Sequence, residues 1–135
     1  TKEIAEILSS RIIVFQCPPS LEPTKENKSN LKKFFSSIER GRYILGWEPR
    51  GKWSEKEIEL ICKELDLIHV VDPFKSRPTF GRIRYYRLHG IGGYKYQYTH
   101  EDLTRLRELA KEEIDSYFMF NNVYMYEDAL AFKNL

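Results

Sequence analysis

The chain has 135 residues and a formal net charge of +2, from 22 basic and 20 acidic side chains, and 41% of its residues are hydrophobic. That is one domain's worth of chain, with enough apolar matter for a packed core, which excludes a disordered segment. The near-balanced charge neither selects nor excludes nucleic acid, because a binder can be neutral overall and basic on one face.

The first helical spacing is Ile4, Ile7 and Leu8, within residues 2 to 9. Ile12 to Phe15 is a continuous β-branched and aromatic run closed by Pro18-Pro19, the pattern of a strand buried on both faces. Residues 20 to 30 read as a polar loop. Leu31, Phe34, Phe35 and Ile38 then recur at helical spacing up to Gly41. Tyr43 to Trp47 is the second strand, ending in EPRGKW. Ser54 and Glu57 form a capping box, followed by the stripe Ile58, Ile61, Cys62 and Leu65. Ile68 to Val71 is the third strand, ending in Asp72-Pro73.

The stretch PFKSRPTFG, residues 73 to 81, is too short for a full crossover helix. Arg82 to His89 is the fourth strand. Thr99 and Asp102 pair as a cap before Leu103, Leu106, Leu109 and Ala110. Tyr117 to Phe120 is the fifth strand, ending in Asn121-Asn122, and a last helix carries Ala129, Leu130 and Phe132. Five strands alternating with helices predict an α/β domain over residues 1–135 with a mostly parallel sheet. No apolar run reaches the roughly eighteen residues of a membrane span, and nothing resembles a signal peptide. Cys17 and Cys62 are too few for a disulfide framework or a zinc knuckle. They read as small buried hydrophobes in a reducing, cytoplasmic setting.

Each strand ends in polar groups on its C-terminal side: Gln16, Glu48 with Arg50, Asp72, Arg87 with His89, and Asn121 with Asn122. In parallel α/β folds these ends share a face, and ligands bind there. Alternation along the fourth strand puts Arg87 and His89 on one side with Tyr85, and Tyr86 and Leu88 on the other. Glu48, Asp72, Arg87 and His89 are therefore expected to converge on a polar pocket. The competing expectation is a purely structural ion-pair network. Gly90, Gly92 and Gly93 fit a tight turn better than a phosphate cradle, having neither a Walker lysine nor dinucleotide-fingerprint spacing. His69, inside an apolar strand, reads as packed and hydrogen-bonded, and His100 as solvent-facing. Tyr94, Tyr96 and Tyr98, with Lys95 between, suit either stacking on a sugar or base or covering the rim of the core.

EPRGKW at 48 to 53, YYRLHG at 85 to 90 and FNNVYMYEDAL at 120 to 130 together resemble the YecE-like family, the domain of unknown function 72. FQCPP at 15 to 19 resembles its strand ending in a proline pair. The resemblance implies a TIM-like β/α barrel. Members are roughly twice as long, so it also implies that this chain is a C-terminal part of such a barrel, with about five mostly parallel strands. The family's residues carry over onto Glu48, Arg50, Trp53, Asp72, Arg87, His89, Gly90, Asn121 and Asn122. Members often have His-Pro-Ser before the tryptophan, where this chain reads Gly51-Lys52-Trp53. The start at Thr1 fits a piece of something longer, and self-association or pairing with a missing N-terminal half is expected.

The functional expectation is a phosphate- or sugar-containing ligand at the strand ends, in a hydrolase-type enzyme or a binding protein. Glu48, Asp72 and His89 would supply acid/base chemistry, and Arg50, Arg87, Gly90, Asn121, Asn122 and Tyr98 would hold the ligand. The donor types suit a divalent metal, though no ligand-spacing motif supports one. The alternatives are a nucleic-acid-binding module using Arg82, Arg84, Arg87 and Lys95, and a non-catalytic structural barrel.

Overall fold

The structure, a computed structural model, describes residues 1–135. Its elements run α1 Lys2–Ile7, β1 Ile12–Cys17, α2 Lys25–Ser37, β2 Ile44–Pro49, α3 Glu55–Leu65, β3 Ile68–Val71, β4 Arg84–Leu88, α4 His100–Leu109, β5 Ser116–Phe120 and α5 Met125–Lys133. The alternation is the expected one, and the link from β3 to β4 carries no helix. Two compact units divide the chain. One is Thr1–Val70 with Thr79–Gly81, and the other is Val71–Pro78 with Arg82–Leu135.

In the first unit β1, β2 and β3 pair in parallel, with Gln16 level with Glu48 and Trp47 level with His69. Gly46 sits mid-strand because its neighbours close over it: a Cβ there would lie 2.7 Å from Val70 Cγ2 and 3.5 Å from Val14 Cγ2. On the opposite side of β2, Leu45 and Trp47 are buried against Phe35, Ile58, Ile61 and Cys62 of the covering helices. Trp47 meets Trp53 edge to face at 5.1 Å between ring centroids, the arrangement that aromatic quadrupoles favour.

Helix α3 starts on the predicted Ser54–Glu57 box and ends at Asp66 in the left-handed region, φ +48°. Arg40 closes that end by donating to the carbonyls of Leu65 and Asp66, both at 2.6 Å, which satisfies acceptors the helix leaves open.

Two expectations need correction here. Residues 20 to 30 are not all loop: α2 begins at Lys25, because the Thr24 side chain caps it by accepting from the Asn27 N–H at 3.1 Å. The short helix expected at Ile4, Ile7 and Leu8 is α1, with those side chains exposed and Ala5 buried. Cys17 is half-buried rather than buried, with its Sγ accepting a hydrogen bond from Trp47 Nε1 at 3.2 Å.

In the second unit β4 and β5 pair in parallel, Tyr85 level with Tyr117 and Arg87 with Met119. Alternation holds as predicted. Tyr86 and Leu88 are buried, Leu88 packing with Leu103 and Leu106 of α4. Tyr85 instead stacks on Tyr117 at 6.0 Å. Helix α4 begins on the Thr99–Asp102 box, with Thr99 Oγ1 accepting from the Asp102 N–H and Asp102 Oδ2 accepting from the Thr99 N–H. Phe132 of α5 lies against Phe118 at 4.9 Å and Phe120 at 5.9 Å.

Candidate functional site

The C-terminal end of β4 is held by a buried carboxylate. Asp72 Oδ1 accepts from the Phe74 N–H at 3.0 Å and Oδ2 from the His89 N–H at 3.1 Å. Asp72 follows β3 and His89 follows β4, so one side chain ties two chain segments together by their backbones. The clamp fixes the main chain at His89, whose ring is partly exposed. His89 Nδ1 lies 3.4 Å from Asn121 Nδ2 at the end of β5. This amide and imidazole meet at the joined ends of β4 and β5. Arg87, two residues earlier on the same side of β4, is half-buried. Asp72, His89 and Asn121 are thus linked at the ends of β3, β4 and β5.

A second layer supports this end. Gly90 has φ +88°, and a Cβ there would lie 2.1 Å from the Gly93 carbonyl oxygen. The position therefore needs glycine both for its backbone angle and for room. The Gly90 N–H donates to the Tyr98 hydroxyl at 2.8 Å. Tyr98 is buried and stacks on Phe74 at 5.4 Å. Burial pushes its phenol pKa up, and the carboxylates of Asp72, Asp128 and Asp102 push the same way, so the ring stays neutral.

Asn122, 1% exposed, donates from Nδ2 to the Tyr96 carbonyl at 2.8 Å and to Asp128 Oδ2 at 2.6 Å. Asp128 also accepts from the Tyr98 N–H at 3.2 Å. Asp102 Oδ2 accepts from the Tyr96 hydroxyl at 2.7 Å. Burial works to raise the Asp102 pKa, but the hydrogen bonds from Tyr96 and Thr99 outweigh it and hold the carboxyl below its usual value.

Glu48 and Arg50 belong to the first unit. Glu48 is buried, and Arg50 Nε lies 3.5 Å from its Oε1, an ion-pair distance too long for a strong hydrogen bond. His69, in the same unit, is buried, with Nδ1 accepting from the Thr79 N–H at 3.1 Å. It is the packed, hydrogen-bonded histidine the apolar strand suggested. Burial lowers its pKa to about 4. No group of three or more His, Cys, Asp or Glu side chains is arranged to hold a metal ion. No helix is long and apolar enough to cross a membrane.

A family described as "Protein of unknown function DUF72" matches residues 5–134. The chain belongs to the DUF72 family. Two solved DUF72 proteins resemble it along 98% of its length. TM1631 from Thermotoga maritima MSB8 is 22% identical with a TM-score of 0.73, and 59% of that chain is covered. EF0366 from Enterococcus faecalis V583 is 19% identical with a TM-score of 0.77, and 62% of that chain is covered. At these identities the likeness shows the fold alone, the expected α/β partial barrel. The chain spans about three fifths of the length of these DUF72 structures. No curated protein matches it.

Gly51 has a local cause in this DUF72 chain. A Cβ there would lie 2.7 Å from the Leu21 carbonyl oxygen and 3.0 Å from that of Pro19. The Leu21 carbonyl also accepts from Trp53 Nε1 at 2.8 Å. Backbone approach and the indole anchor together leave no room for a side chain at 51.

Reading the sequence missed Asp128 and Asp102 as supports of the site. Asp128 is 2% exposed in the first turn of α5, and Asp102 was noted only as a cap. The available signal was an aspartate six residues after Asn122, in the first turn of a helix, where carboxylates meet N–H groups.

Proposed function

We propose that the end of β4 and β5 binds the anionic group of a small phosphate-bearing ligand, with a sugar phosphate as the best-fitting class. The observation that carries this reading is the His89–Asn121 pair, set on a backbone that the buried Asp72 clamps. His89 supplies an imidazole, and Arg87 on the same side of β4 supplies a guanidinium, the side chain best matched to phosphate oxygens. Asn121 adds an amide that can meet a sugar hydroxyl. Asp72, Gly90, Tyr98 and Asn122 act in this reading as the frame, because their polar atoms serve backbone groups and one another. Glu48 and Arg50 form an ion pair of their own in the first unit, at the end of β2.

The test is a titration of the ¹⁵N-labelled protein with ribose 5-phosphate and with inorganic phosphate. Saturable amide shifts at residues 87–90 and 121 are expected, and His89→Ala should weaken binding about tenfold, the scale of one charge-assisted contact. Equal titration curves for His89→Ala and the parent would defeat the reading. Binding of a single-stranded oligonucleotide with steep salt dependence, and none of ribose 5-phosphate, would replace it with the nucleic-acid alternative.

A further inference from the structure

On the other side of β4 the second unit has a groove of about 530 Å³, between the link after β3 and helix α4. Parallel strands are ordinarily joined by a crossover of a dozen or more residues that carries a helix. The Asp72–Ile83 segment carries none, so no crossover helix covers this side of β4. Arg84 and Tyr86 face this side, by alternation the side away from Arg87.

The groove has two kinds of wall. Phe74, Leu106, Leu109 and the ring of Tyr86 are apolar, and Arg77, Arg84 and Arg105 bring three guanidinium groups. Glu112 is the one carboxylate in the lining, and its Oε2 lies 3.9 Å from Arg84 Nε. The lining therefore keeps a net positive charge. Arg105 already sits over the Phe74 ring, 5.8 Å from its centroid, so cation and aromatic surface meet at one place. Tyr86 is buried at the floor, and burial first, then the Glu112 carboxylate, raises its pKa. Its hydroxyl remains neutral and able to donate.

We propose that this groove is a second binding site, for a small organic anion in which a planar ring carries a phosphate, about the size of a nucleoside monophosphate. The volume lies within the roughly 300–1,000 Å³ range of small-molecule sites. The ring packs against the apolar wall formed by Leu106, Leu109 and the edge of Phe74, and the phosphate meets Arg77 and Arg105, whose forked donors suit its oxygens. A bare phosphate would leave the apolar wall unused, and a bare ring would leave Arg77 and Arg105 unused.

The experiment uses AMP and 1-naphthyl phosphate as probes, with adenosine and inorganic phosphate as controls, on the whole chain. Binding of both ring phosphates is expected, with amide shifts concentrated at 74–78 and 105–112. Each control should bind at least about tenfold more weakly. Arg77→Ala and Arg105→Gln should each weaken AMP binding about tenfold, the scale of one charge-assisted contact. Both side chains are exposed, and Arg77 lies outside any helix or strand, so at least that variant should fold. Failure of both ring phosphates to bind, undiminished affinity in both variants, or shifts confined to 87–90 and 121 would each overturn the proposal. The last result would return the ligand to the His89 site.

Discussion

Asp72 holds His89 by its backbone: the carboxylate Oδ2 accepts the His89 N–H at 3.1 Å, while Oδ1 accepts that of Phe74 at 3.0 Å. A buried carboxylate with both oxygens on main-chain donors orders the segments on either side of it. It also sets where the imidazole begins.

Asp72→Asn should therefore loosen the site before it unfolds the protein. An amide keeps one acceptor and turns a donor toward the other N–H, at a cost of about 1–3 kcal/mol. Asp72→Ala, which strands both donors, should cost about twice that. Urea unfolding gives the stability, and hydrogen exchange at His89 and Phe74 gives the local effect. Unchanged exchange at both amides in Asp72→Ala would show that the clamp contributes nothing.

Gly90 and Gly92 both have positive φ, but their surroundings differ. A Cβ on Gly90 would meet the Gly93 carbonyl oxygen at 2.1 Å, whereas one on Gly92 would meet nothing within 4 Å. Gly92→Ala should cost about 1–2 kcal/mol from the backbone angle alone. Gly90→Ala adds a collision with main chain and should cost about 3 kcal/mol or more. Thermal melts of the two variants decide it, and equal losses would be the wrong result for this geometry.

The pH dependence follows from His69. Burial lowers its pKa from 6.5 to about 4, so the unfolded chain takes up the proton first as pH falls. Its stability contribution is complete above pH 6.5 and declines as pH drops through 4, by up to about 3 kcal/mol. His69→Gln cannot be protonated and should show a flatter loss between pH 7 and 4. Denaturant unfolding across that range measures both curves, and parallel curves would mean that His69 does not couple to folding.

Much of this fold is legible in the sequence. Strand and helix order, both capping boxes and the parity that separates Arg87 from Tyr86 all follow from local pattern, because periodicity and capping are local chemistry. The parts that were not legible depend on groups far apart in the chain. Asp72 reads as a candidate acid or base, since its backbone partner at His89 is seventeen residues away. Tyr98 reads as a rim aromatic until the Gly90 N–H is found on its hydroxyl. The early start of α2 hid behind a polar run, where the Thr24 cap had no apolar stripe to announce it. The exposure of Ile7 and Leu8 could not be read from spacing at all, because spacing defines a face without supplying something to cover it.

The edge-to-face pair of Trp47 and Trp53 gives the molecule an unplanned optical property. Both indoles of the chain are in its first unit, and the second unit has tyrosines alone as polar aromatics. Red-edge excited emission therefore comes from one half only, from two buried indoles, Trp47 with its N–H on the Cys17 sulfur and Trp53 with its N–H on the Leu21 carbonyl. Tyrosine absorbance is weighted to the other half, through Tyr85, Tyr86, Tyr94, Tyr96, Tyr98, Tyr117, Tyr124 and Tyr126. The two halves already carry different colours, and their melting can be watched separately without attaching a dye.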